Sequence, residues 1–175
     1  MAWQTPVFDR TESDVYTART LINKINTSGY SSLTEDEKTL WDSGNLKGCR
    51  NVNDLNRIEN NCNELATELG LTIETKLDWD YDTTPMSEDI QRICDNVSAI
   101  RESLLDIVYV SIPAVPELPI NDFDKMNDIE EILYIVHDTL HNDLILWADL
   151  DNIGETWAEL DDKELYWQNG YLKNE

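Results

Sequence analysis

Asn51-Val52-Asn53-Asp54-Leu55-Asn56-Arg57-Ile58-Glu59-Asn60-Asn61-Cys62-Asn63-Glu64-Leu65 is the stretch that decides how this chain is read. Asp54 is followed by apolar residues at +1, +4, +8 and +11, namely Leu55, Ile58, Cys62 and Leu65. That spacing is one face of an amphipathic helix. Asn51 stands three residues before the Asp, where a side-chain oxygen caps the first turn. A carboxylate near that end favours the exposed N–H groups and the positive end of the helix dipole.

The pattern recurs along the chain, and repeats of this kind organise a whole fold. Asp14 is followed by Val15, Ala18, Ile22 and Ile25, and Asp89 by Ile90, Ile93, Val97 and Ile100. Asp128 is followed by Ile129, Ile132 and Val136, with Thr139 in the last slot and Leu140 beside it. Thr11 precedes Asp14 as Asn51 precedes Asp54, and Pro85 lies just before the third helix. Thr34-Glu35-Asp36-Glu37 is a further capping box, opening a short helix toward Trp41 that Ser43-Gly44 ends. Helices are therefore expected near 12–27, 34–42, 52–69, 87–108 and 126–147, with the repeated Asp in or near each first turn.

The connections are less regular. Leu71 to Leu77 alternates in polarity and suits a short strand. Pro113, Pro116 and Pro119 make residues 111–121 extended, a hinge before the fourth repeat. Trp147, Trp157 and Trp167 follow one another at ten-residue steps. A single helix would not align them at 3.6 residues per turn, so short turns or extended segments suit this tail better. The expected fold class is mainly α: about five repeated short amphipathic helices with a short irregular or partly β C-terminal segment. The expected organisation is a helical repeat region of three related units (1–110), a Pro-rich hinge (111–121), a fourth helical unit (122–148) and a Trp/Tyr-rich C-terminal segment (149–175).

Composition sets limits on function. The 175 residues carry 36 Asp+Glu against 13 Lys+Arg, a net charge of −23. The chain is too short for two full-sized domains, and its Leu, Ile, Val and Phe content suits a folded protein with a very acidic surface. Such a field repels a phosphate backbone, and no run of Lys and Arg offsets it, so nucleic-acid binding is not expected. An anionic membrane surface is disfavoured for the same reason. No stretch reaches the roughly 20 apolar residues of a membrane span, and Met1 to Arg10 lacks the pattern of a signal peptide. Cys49, Cys62 and Cys94 are odd in number and lack Cys-x-x-Cys spacing, so they read as reduced thiols of a protein made in a reducing cytoplasm.

Asn53-Asp54-Leu55-Asn56-Arg57-Ile58-Glu59-Asn60-Asn61 resembles the signature of helical modules in tail and minor structural proteins of phages and prophages of Gram-positive bacteria. Trp3-x-Thr5-Pro6 with Asp9-Arg10-Thr11-x-x-Asp14-Val15 resembles the opening of such proteins, and Leu33-Thr34-Glu35-x-Glu37-Lys38 with Leu46-Lys47-Gly48 the segment leading into the signature. Trp79, Pro85, Asp89, Arg92, Ile93 and Asn96 look like the next module. Pro119 with Asn127-Asp128-Ile129-Glu130-x-Ile132-Leu133 looks like the one after it, and Thr156-Trp157-Ala158-Glu159-Leu160 is similar to a short unit of related proteins. The fourth repeat departs from the pattern, with Glu131 where the second and third have Arg57 and Arg92. The resemblance supplies no catalytic residues. It implies a particle component of a tail, baseplate or fibre region.

Candidate chemistry is sparse. His137 and His141 stand at i and i+4, a spacing that can share a metal, but Asp138 stands where a zinc protease has its general-base Glu. Asp78, Asp80 and Asp82 resemble the start of a calcium loop, yet Thr83 and Asp89 fill the places of its Gly and bidentate Glu, so a solvated acidic turn is the better reading. Asp149, Asp151 and Gly154 match in part, with Leu160 failing at the ligand position. Paired carboxylates cannot be singled out among so many acids, and no glycine-rich phosphate loop is present. Six Trp and seven Tyr against two Phe form an amphipathic aromatic set of the kind enriched at interfaces.

Trp157, Tyr166, Trp167 and Tyr171 cluster near the C-terminus, as an anchor for another subunit or a saccharide, or as a cap on the helical array. The expectation is a non-enzymatic structural component of a phage tail, baseplate or tail-like particle. It would act in several copies through packing against other phage structural subunits, with no catalytic or metal-ligating residue, no cofactor, no nucleic acid and no membrane partner. Its location would be the particle, after synthesis in the host cytoplasm. The alternatives are a particle-borne module recognising a cell-surface saccharide, or a small metal-dependent hydrolase using His137 and His141.

Overall fold

A computed structural model describes residues 2–105, 111–146, 165–168 and 171–174. The protein is mainly α-helical: α1 (Glu12–Ser28), α2 (Glu35–Asp42), α3 (Val52–Glu68), α4 (Ser87–Leu105) and α5 (Phe123–Asp138). Thr11, Thr34 and Asn51 each accept from the backbone N–H three residues on, and Asp14, Glu37 and Asp54 return the bond to the cap residue's own N–H. These are the capping boxes expected from the sequence. Asp89 plays the same part for α4, accepting from the Met86 N–H at 2.9 Å.

The fourth repeat departs from this scheme. Its helix starts at Phe123, capped by Asp122, which accepts from the Lys125 N–H at 2.9 Å. Asp128 therefore lies beyond the first turn, where burial, with Asp124 and Asp122 nearby, raises its pKa. The far end differs as well. The expected helix 126–147 stops at Asp138 and passes through a single π-helical turn, Thr139–Asp143, into a short strand, β1 (Leu144–Leu146). Leu144-Ile145-Leu146 is an apolar run whose periodicity does not separate helix from strand. Its partner is distant in sequence: β1 and β2 (Leu165–Gln168) both pair antiparallel with β3 (Tyr171–Asn174), giving the order β1-β3-β2.

The apolar stripes of α3, α4 and α5 meet in one core. Leu55, Ile58, Cys62 and Leu65 pack with Ile93, Val97 and Ile100, and with Ile129, Ile132 and Val136. Thr139, in the last slot of the fourth repeat, is also buried. The stripe of α1 behaves differently: Ala18 and Leu21 are buried, in a satellite cluster with Leu33 and Leu46, while Ile25 is partly buried against it. Gly48 passes so close to α1 that a β-carbon there would lie 1.9 Å from the Asp14 carbonyl oxygen. Residues 111–121, expected as a hinge, bury Ile112 and Ile120 in the main core, and their backbone carbonyls are held from both sides. Arg101 donates to Pro113 and Ile112, and Lys125 to Glu117 and Pro119. Among the described residues no helix is long and apolar enough to cross a membrane.

Candidate functional site

The Asp54–Asn61 signature is consumed almost residue by residue in fastening extended segments to α3. Asn61 holds the Gln4 backbone at both ends, accepting from its N–H at 2.9 Å and donating to its carbonyl at 2.8 Å. Asn60 donates to the Ala2 carbonyl. Asn56 grips the Trp79 backbone in the same bidentate way, at 2.9 Å each. Residues 71–77, a candidate strand in the sequence, enter no ladder. Side chains stand in for the missing strand: Glu59 accepts from the Lys76 N–H, while Asn96 and Arg92 donate to the Glu74 carbonyl. An amide side chain offers a donor and an acceptor at once, so it satisfies a backbone edge as a neighbouring strand would.

Two buried ion networks tie the helices together. In the first, Arg57 of α3 makes a bidentate pair with Glu130 of α5, at 2.7 Å through each nitrogen, and bonds Asp54 at 2.6 Å. Arg10 joins from the N-terminal segment, reaching Asp54 at 2.9 Å and Glu130 at 2.7 Å and bonding the Val7 carbonyl. Glu130 also accepts from the Val7 N–H, and Asn127 brackets the Arg10 backbone. Two arginines and two carboxylates balance, which is the condition for burying charge tolerably. Burial works to lower the Arg57 pKa, but its hydrogen bonds to Glu130 and Asp54 prevail and raise it. In the second network the fully buried Glu59 pairs with Arg92 at 2.6 and 2.8 Å and accepts from the Trp79 indole N–H.

The histidines do not converge as ligands. The His137 ring stacks on Trp3, with centroids 3.9 Å apart and planes 13° apart, and lies 4.2 Å from the His141 ring. His141 faces Glu68, with Nε2 3.1 Å from a carboxylate oxygen. Burial and the neighbouring His141 lower the His137 pKa. Among the described residues no group of three or more His, Cys, Asp or Glu is placed to hold a metal ion. Asp80 shapes the acidic turn by accepting from the Thr83 hydroxyl and the Asp82 N–H; those bonds, the hydroxyl's foremost, lower its pKa. The thiols have raised pKa values, chiefly from burial at Cys49, Cys62 and Cys94. They stay protonated at neutral pH and are poor nucleophiles.

Of the C-terminal aromatics, Trp157 lies outside the described residues, as does Trp147. Tyr166 and Trp167 fall on β2 and Tyr171 opens β3, with Trp167 opposite Leu172 and Gln168 opposite Tyr171. The fold also forms two adjoining hollows that sequence reading did not anticipate. One, of about 770 Å³, lies between α2, the loop before α3 and the turn at 80–85, with Trp41 and Tyr81 in its wall. The other, of about 430 Å³, is lined by Arg10, Arg19, Lys47 and Arg50. The cations come from separate segments, so no run of basic residues marks them in sequence. No family model, curated protein or solved structure matches this chain.

Proposed function

We propose that this protein is a non-enzymatic structural component of a phage tail, baseplate or tail-like particle, present in several copies and packed against other structural subunits. One observation carries the reading beyond the sequence resemblance. The polar side chains of the signature, the groups most suited to chemistry, are spent on fastening. Asp54, Asn56, Arg57, Glu59, Asn60 and Asn61 each hold an extended segment or a neighbouring helix. That is the economy of a building block, in which a short helical unit gains stability from what is strapped across it.

Apolar groups left outward fit packing against neighbours: Tyr16 and Met86 are 73% and 63% exposed. Acidic faces would then set partner choice and discourage wrong association. The test is quantitative mass spectrometry of purified particles induced from the source strain. A copy number in fixed ratio to the other tail proteins is expected. Expression in the cell with absence from intact particles would overturn the reading.

A further inference from the structure

The distribution of partners among the cations singles out one place on the surface. Carboxylates hold Arg10, Lys24, Lys38, Lys47, Arg57 and Arg92. Backbone carbonyls hold Arg101 and Lys125, and Lys76 lies over the Trp79 ring. Among the described residues outside the C-terminal strands this leaves Arg19 and Arg50, both exposed, and both line the same hollow. Asp54 and Asp122 line this hollow too, but Asp54 is bonded to Arg10 and Arg57 and Asp122 caps α5, so neither is bonded to Arg19 or Arg50. Their surroundings are already neutralised: Lys47 is taken by Asp9, and Arg10 by Asp54 and Glu130. The free valence of the hollow thus belongs to Arg19 and Arg50.

Arg50 and Cys49 also line the larger hollow, so the two adjoin at these residues as a trough in two parts with unlike linings. At the far end stand Trp41 and Tyr81, with Asp42 and Asp80 beside them. The Tyr81 hydroxyl reaches over Gly44, where a β-carbon would come within 3.0 Å of it, and the ring is left 78% exposed. Flat aromatic faces stack on the C–H faces of a sugar ring, and carboxylates accept from its hydroxyls. Arginine forks suit phosphate or carboxylate.

We propose that this trough binds an anionic saccharide, its phosphate or carboxylate held by Arg19 and Arg50 and its ring seated against Trp41 and Tyr81. The acids at the aromatic end fix the direction of the ligand, since its charge is repelled there. A long polyanion is disfavoured because the field of a −23 protein acts on every charge outside the trough. A short ligand feels mainly the local arginines.

The site is independent of particle assembly, and calorimetric titration of the whole chain at low salt tests it. The probes are glucose 6-phosphate, glucuronate, glucose, inorganic phosphate and a ten-nucleotide oligothymidine. Saturable binding of at least one of the two anionic sugars is expected, tighter than glucose or inorganic phosphate. The double variant Arg19→Ala/Arg50→Ala should weaken it at least roughly tenfold, as expected for losing hydrogen bonds to a charged group. Tyr81→Ala should weaken it as well. Neither arginine has a partner to lose, so the variant's thermal unfolding should match the parent's. Four results would overturn the proposal: no saturable binding of either anionic sugar, binding indifferent to these substitutions, inorganic phosphate binding as tightly as the sugars, or tighter arginine-dependent binding of a ten-nucleotide oligothymidine.

Discussion

Arg10 and Glu130 stand 120 residues apart in the chain, and their side chains meet at 2.7 Å in the interior. Glu130 is the acceptor on which the first ion network turns. It takes Arg57 through two nitrogens, Arg10 through one, and the Val7 N–H as well. Replacing it with Ala leaves two buried guanidinium groups with Asp54 as their one bonded carboxylate. Removing one partner of a buried ion pair costs about 3–5 kcal/mol, mostly for the stranded charge. We therefore expect Glu130→Ala to lower stability by that order in urea unfolding. Amides of residues 4–10 should also exchange faster than those of α4, because the segment loses its anchors. Unchanged protection of Val7 and Arg10 would show that the N-terminal segment is held by something else.

Glu59 plays the corresponding part for the segment before α4. It is fully buried and receives Arg92 twice, the Trp79 indole and the Lys76 amide. Arg92 keeps 22% of its side chain exposed, so it can recover water when the carboxylate is lost. Glu59→Gln should accordingly cost less than Glu130→Ala, about 2 kcal/mol. Loosening around Trp79 should shift its emission to the red, read as the difference between each protein and its Trp79→Phe counterpart. A shift absent from that difference would mean that the indole is held by the apolar core alone.

Local and long-range information divide cleanly in this protein. Leu55, Ile58, Cys62 and Leu65 are legible as a core stripe because helical periodicity is local, and the capping boxes at Thr11, Thr34 and Asn51 are legible for the same reason. The fourth repeat misleads because its Asp128 copies the motif while Asp122 does the capping. Asn61 and Gln4, or Asn56 and Trp79, carry no mark of their pairing, since a side chain gripping a distant backbone leaves no spacing rule. The same holds for the trough: Arg19 comes from α1 and Arg50 from the loop before α3, where Gly48 passes close to α1.

That passage gives a prediction with a built-in control. A β-carbon at Gly48 would fall 1.9 Å from the Asp14 carbonyl oxygen and 2.6 Å from the Val15 nitrogen, both rigid backbone. Gly48→Ala must push α1 away from the loop, and overpacking of this kind costs about 1–3 kcal/mol. Gly70→Ala meets nothing within 4 Å but sits at φ +69°, so it should cost only about 1 kcal/mol of backbone strain. Thermal unfolding of the two variants separates the effects. Equal losses would show that the loop yields freely and that α1 is not fixed by this contact.

The Trp3–His137 stack makes the protein sensitive to mild acid. Burial and His141 lower the His137 pKa below its ordinary 6.5, outweighing the carboxylates of Glu68, Asp138 and Glu64, which act to raise it. The unfolded chain then binds more protons than the folded one between the two pKa values. The contribution of His137 to stability is therefore complete above about pH 6.5 and is lost as pH falls through the lower, folded value. The urea midpoint should be flat between about pH 8 and 7 and decline below that. His137→Phe keeps a ring against Trp3 but has nothing to protonate, so its profile should stay flatter over the first unit of the decline. Parallel profiles would assign the acid sensitivity to groups other than His137.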